Sequence, residues 1–128
     1  MMKKIAVIFS LLCLASMAGI NAQTSQRIIA EGAAVEKLAD GFSFTEGPIA
    51  DRDGNIYFTD QPNDKIYIWT VEGKLKEFGS FGRANGMFFD RDGRLLSCSD
   101  QDNQLWSIGM DGSHTVRVTD YEGKLLNG

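Results

Sequence analysis

Asp51-Arg52-Asp53-Gly54 and Asp90-Arg91-Asp92-Gly93 are the same tetrapeptide, set 39 residues apart in the chain. An Asp heading a turn can accept hydrogen bonds from the N–H groups that follow it, and a Gly closing the turn takes left-handed backbone without strain. Around each copy the apolar residues alternate. Ser43-Phe44-Thr45-Glu46-Gly47-Pro48-Ile49-Ala50 precedes the first turn and Asn55-Ile56-Tyr57-Phe58-Thr59-Asp60 follows it. A period of two bounded by turn residues predicts a pair of strands joined by a tight reversal.

Working outward from Asp60, Gln61-Pro62-Asn63-Asp64 predicts a second turn, Lys65 to Thr70 a third strand, Glu72-Gly73 a third turn, and Lys74 to Phe78 a fourth strand. The second copy follows the same grammar. Arg83 to Phe89, Arg94 to Cys98, Gln104 to Ile108 and Thr115 to Thr119 are its strands, with Asp111-Gly112 replacing Glu72-Gly73. A four-stranded unit of roughly 40 residues is the size of one β-propeller blade, and propellers contain about four to eight blades. The fold class expected is therefore all-β, a partial propeller of about two four-stranded blades. A third approach begins at Tyr121, and the closing Asn127-Gly128 is a turn signal that expects another strand, so residues 42–128 read as an incomplete propeller domain.

The N-terminus has a different character. Lys3 and Lys4 precede an apolar run from Ile5 to Gly19, and Ile20-Asn21-Ala22 ends in a small residue, so residues 1–22 read as a signal peptide cleaved after Ala22. Cys13 follows the bulky Leu12, where a lipoprotein processing site wants a small residue, so no membrane anchor is expected. The product is expected to be secreted or periplasmic. Residues 23–41 form a leader in which Arg27-Ile28-Ile29 and Val35-Glu36-Lys37-Leu38 read as outer strands.

Without residues 1–22, the 13 Lys and Arg fall to 11 against 17 Asp and Glu, a net charge of −6 that is unsuited to nucleic acid. Of the 2 cysteines only Cys98 remains, so no internal disulfide can form and stability rests on packing.

Register selects the residues that carry chemistry. Superposing the two tetrapeptides places Glu46-Gly47 on Asn85-Gly86, one oxygen donor per blade at the start of the innermost strand. A carboxylate with amide oxygens is the donor type that Ca²⁺ takes. Spacing leaves two readings open for each: Glu46 as an exposed strand-end carboxylate or a cation ligand, Asn85 as a turn residue or a donor facing the channel. His114 reads as a solvated loop residue, Cys98 as core, and Trp69 and Trp106, near-equivalent in register, as packing between blades. Asp60, Asp64, Asp100 and Asp102 read as solvated acidic turns.

Phe44-Thr45-Glu46-Gly47-Pro48, Asn55 to Asp60, Arg83-Ala84-Asn85-Gly86, Asp92 to Leu96 and Tyr121 to Asn127 together resemble the gluconolactonase branch of the regucalcin (senescence marker protein) family, in that family's order and spacing. The resemblance implies a six-bladed propeller that holds one divalent metal, usually Ca²⁺, and hydrolyses a sugar lactone. It implies that Glu46 is a metal ligand and that Asn85, in a recurrent family motif, is a substrate-binding position. It places the family's first metal-binding Asn just after Gly128, and a later Asn and Asp, the latter the general base, in further blades. The catalytic residues are thus expected beyond Gly128, and the 128-residue chain is expected to be inactive alone. A metal polarising the lactone carbonyl while a carboxylate activates water is the chemistry implied. The alternatives are a non-catalytic propeller used for binding or scaffolding, and a propeller hydrolase acting on phosphoesters or larger substrates.

Overall fold

The computed structural model describes residues 29–126 of the chain. The expected signal peptide with its Ala22 cleavage site, Arg27-Ile28, and Asn127-Gly128 lie outside the described residues. The chain divides into two units at Glu36 and Lys37. Of the first, residues 29–36 are exposed and irregular, with one turn closed by Ala33 N donating to Ala30 O. The strand expected over Val35–Leu38 does not form. Alternation alone does not make a strand: its N–H and C=O groups need a partner ladder, and among the described residues no strand pairs with this segment.

The second unit contains two four-stranded antiparallel sheets and a short hairpin. The first sheet is β1 (Thr45–Ala50), β2 (Ile56–Asp60), β3 (Lys65–Trp69) and β4 (Leu75–Gly79), paired in sequence order. The second is β5 (Ala84–Phe89), β6 (Leu95–Ser99), β7 (Gln104–Ile108) and β8 (His114–Val118), paired the same way. Every strand of the second sheet starts 39 residues after its counterpart. The two expected blades are thus present. A hairpin of β9 (Asp120–Tyr121) and β10 (Lys124–Leu125) follows them, turning through Glu122 and Gly123, both at positive φ. Among the described residues, no helix is long and apolar enough to cross a membrane.

The repeated tetrapeptide explains the β1–β2 and β5–β6 reversals. Asp51 Oδ1 accepts the N–H groups of Asp53 and Asn55, each at 2.9 Å, and Asp90 Oδ1 accepts those of Asp92 and Arg94 at the same distance. Gly54 and Gly93 close the turns at φ 89° and 80°, a region that costs an ordinary residue about 1–2 kcal/mol.

The core lies between the sheets, and opposite faces of the two equivalent sheets meet there. Tyr57 and Ile66 from the first sheet cluster with Ala84, Leu95 and Ile108 from the second and with Phe81 from the connection. Leu95 is the counterpart of Ile56, not of Tyr57, so the sheets are stacked in a head-to-tail sense rather than face to matching face. Ile66, Leu95 and Ile108 are fully buried, and each such side chain contributes about 1.5–3 kcal/mol.

This stacking corrects the tryptophan expectation. By strand register Trp106 matches Tyr67 and Trp69 matches Ile108, two residues away from mutual equivalence. Trp106 packs against the core between the sheets, whereas Trp69 lines a groove on the uncovered face of the first sheet. His114 is also not a loop residue: it heads β8, and its ring stacks on Trp106 at 4.3 Å and 8°. Cys98 is half-buried in β6 as a free thiol, on the face turned away from Leu95.

Candidate functional site

Glu46 and Asn85 are the second residues of β1 and β5, the two strands along which the sheets approach each other most closely. Both are half-buried. Among the described residues neither side chain makes a hydrogen bond or an ion pair. The β1–β2 register shifts between Glu46 and Ile49, and that bulge accommodates both Gly47, at φ 58°, and Pro48, which cannot donate to a ladder. Because it has no side chain, Gly47 lies directly against the main chain of the next blade: a Cβ there would be 2.6 Å from Asn85 O. β5 carries a matching register shift between Ala84 and Met87.

The backbone leading into each of these strands is pinned by an aspartate. Asp60, 1% exposed, accepts the N–H of Ser43 at 3.0 Å and of Phe44 at 2.9 Å, and the Nδ2–H of Asn63 at 2.8 Å. Burial by itself raises the Asp60 pKa, but the hydrogen bonds from Phe44, Asn63 and Ser43 outweigh it and hold the carboxyl below its ordinary value. Asp64, left-handed at φ 50°, accepts the N–H groups of Phe81 and Arg83 at 3.1 and 2.6 Å and so fixes the entry to β5. Thr59 Oγ1 donates to Glu46 O at 3.2 Å.

Asp60, Asp64 and Asp100 were expected as solvated turns, and that expectation is corrected, whereas Asp102 is exposed as expected. Asp100 accepts a hydrogen bond from Gln61 Nε2 at 2.7 Å and pairs with Arg83 at 3.8 Å, while the Asp102 N–H donates to Ser99 Oγ at 3.3 Å. The signal that identifies Asp60 is its counterpart Ser99. It too is a short oxygen-bearing side chain fully buried at the end of the second strand, and it reaches the connection into the inner strand by donating to Gly82 O at 2.9 Å.

A carboxylate and an amide on adjacent strands are oxygen donors of the type a hard cation takes, but they fall short of the about 6–8 oxygens that Ca²⁺ gathers. No group of three or more His, Cys, Asp or Glu among the described residues could hold a metal ion. Neither of two depressions in this unit is lined by Glu46 or Asn85. One is a groove of about 310 Å³ on the open face of the first sheet. The other, about 380 Å³, is lined by Asp51, Arg52, Asn55, Tyr57 and Met110, at the opposite end of β1 from Glu46. Glu46 and Asn85 thus place two oxygen-bearing side chains at equivalent positions of adjacent strands.

No protein-family model and no curated protein matches the chain. Solved structures do. A candidate gluconolactonase determined by X-ray crystallography superposes with a TM-score of 0.71 at 29% identity, over 77% of this chain and 35% of that protein. A gluconolactonase from Xanthomonas campestris, described as important in glucose secondary metabolic pathways, superposes with a TM-score of 0.66 at 24% identity, over 70% of this chain and 31% of that protein. The chain spans about a third of the length of these proteins. The gluconolactonase resemblance read from the motifs is thus found again in three dimensions.

Proposed function

We propose that these two blades are part of an exported, metal-dependent sugar-lactone hydrolase of the gluconolactonase type. One observation carries the reading: a chain that superposes on a candidate gluconolactonase at 29% identity holds a half-buried carboxylate and an amide at equivalent places on adjacent inner strands. Glu46 would give a carboxylate oxygen to a divalent cation, Ca²⁺ by resemblance. A cation held there supplies Lewis-acid polarisation of a lactone carbonyl. Asn85 can both donate and accept hydrogen bonds, which suits it to orienting a sugar hydroxyl beside that carboxylate. Gly47 allows the two strands to approach, and Asp60 and Asp64 hold the backbone that presents them. The remaining ligands and the general base belong to other blades, so the two blades alone are expected to be inactive.

The test is hydrolysis of D-glucono-lactone by the complete reading frame, with and without chelator. Chelation should abolish turnover and Glu46→Gln should lower it by 100-fold or more, on the order of the loss of an electrostatic contact to the transition state. Turnover indifferent to chelator would remove the metal mechanism. No turnover with Ca²⁺ present would leave a non-catalytic binding propeller.

A further inference from the structure

A cleft of about 380 Å³ opens between the two sheets, at the end of β1 opposite Glu46. The first sheet and its turn give Asp51, Asp53 and Tyr57 to its walls, and the second gives Phe89 and Met110. The Tyr57 and Phe89 rings stand edge to face, with centroids 5.1 Å apart and planes at 81°. Met110, 48% exposed, accepts a hydrogen bond on its sulfur from the Tyr57 hydroxyl at 3.6 Å. Two aromatic rings and a polarisable thioether make walls that an organic cation contacts favourably.

The polar groups of the cleft select the sign of that ligand. Tyr57 is 5% exposed, and its hydrogen-bond partner among the described residues is the Met110 thioether, a weak acceptor. Nothing among those residues donates to its oxygen, and a buried oxygen left so suits a ligand that brings an N–H group. The charge around that oxygen is negative: burial raises the Tyr57 pKa above its ordinary value, and Asp51 and Asp53 raise it further. Arg52, which also lines the cleft, has its guanidinium tied to the main-chain carbonyl of Arg91.

The two carboxylates differ. Asp51 is spent on its own turn, Oδ1 accepting from the N–H groups of Asp53 and Asn55 and Oδ2 from Asn55 Nδ2 at 2.8 Å. The Asp53 carboxylate is exposed and makes no such bond among the described residues. One open carboxylate falls well short of the oxygens that a bare hard cation gathers. An ammonium group needs fewer, and it gains from the aromatic and thioether walls.

We propose that this cleft between the two sheets binds a small organic cation, a protonated amine on an apolar frame. Its ammonium group lies between the Asp53 carboxylate and the Tyr57 oxygen, and its frame lies against Phe89 and Met110. The site is at the far end of β1 from Glu46, so it goes beyond the lactonase reading and does not depend on it.

The test titrates benzylammonium into the protein of the complete reading frame at neutral pH, followed by calorimetry, with benzyl alcohol and benzoate as its neutral and anionic counterparts. Benzylammonium should saturate one site with a Kd of about 1 mM or tighter and bind at least about tenfold better than benzyl alcohol. Benzoate should not bind. No saturable binding, or equal affinity for the neutral probe, would overturn the proposal without any variant being made. Asp53→Asn should weaken benzylammonium about two- to fivefold, the worth of a partly exposed charge pair, and leave benzyl alcohol unchanged. Met110→Ala should weaken both probes, because it removes wall rather than charge. Both substituted side chains are exposed, and circular dichroism checks that the sheets remain. Glu46→Gln should leave benzylammonium affinity as it was, whatever it does to lactone turnover. An Asp53→Asn variant that binds the cation as tightly as the parent would overturn the site, and so would a Glu46→Gln variant that loses it, which would put the cation at the other end of β1.

Discussion

Gly47 and Asn85 meet through their main chains: the α-carbon of Gly47 lies so close to the Asn85 carbonyl that a Cβ would stand 2.6 Å from its oxygen. That approach brings Glu46 and Asn85 onto adjacent strands, and Gly47 holds φ 58° to achieve it.

Gly47→Ala should therefore destabilise the fold by about 1–3 kcal/mol, since the strained φ and the collision act together. Gly86 is its repeat counterpart and has nothing within 4 Å of its Cβ position. Gly86→Ala should shift a urea midpoint much less, and equal shifts for the two variants would contradict the close approach.

Asp60 predicts an acid limb in stability. Its carboxyl, desolvated but held by N–H groups of Phe44, Asn63 and Ser43, has a folded pKa below the ordinary value. The contribution is complete above the unfolded-state pKa of about 3.9, declines as pH falls below that, and is gone once pH has passed the folded value. Asp51 and Asp90 add to the limb with the same sign. Asp60→Asn should lose stability at neutral pH and flatten the fall between pH 5 and 3, measured as thermal midpoints against pH; an unchanged slope would refute the assignment.

Gln61 and Asp100 occupy the same place in successive repeats and are joined across the sheets at 2.7 Å. A double-mutant cycle with Gln61→Ala and Asp100→Ala should give a coupling of about 1 kcal/mol, the usual worth of such a bond at a partly exposed site. Additive effects would mean the contact is incidental.

Leu95 is fully buried between the sheets. Leu95→Ala should cost about 2–5 kcal/mol by chemical denaturation, through lost burial and the cavity left behind. A cost below about 1 kcal/mol, the level of surface substitutions, would place the core elsewhere.

Much of this molecule was legible in the strand grammar. The Asp-x-Asp-Gly turns are local devices, in which the carboxylate and the amides it captures lie within four residues, and alternation is likewise a local property. Strand ends were therefore located to within about two residues. Asp60, Asp64 and Asp100 were misread because their partners lie 16 to 39 residues away, at Phe44, Phe81 and Gln61. An aspartate in a turn is solvated or buried according to which main-chain N–H groups the tertiary fold brings to it. Val35–Leu38 was misread for the complementary reason: its alternation needed a partner strand that pattern alone does not supply.

The sequence by itself determined that the chain makes two equivalent four-stranded sheets, and that Glu46 and Asn85 occupy the same position in each, because turns, alternation and a 39-residue period are all written along the chain. Only the tertiary structure decided which face of each sheet is covered. Alternation marks two faces on every strand but does not choose between them. The choice came from stacking, where the Tyr57 face of the first sheet met the Leu95 face of the second, with Trp69 half-buried outside that core and Phe88 exposed.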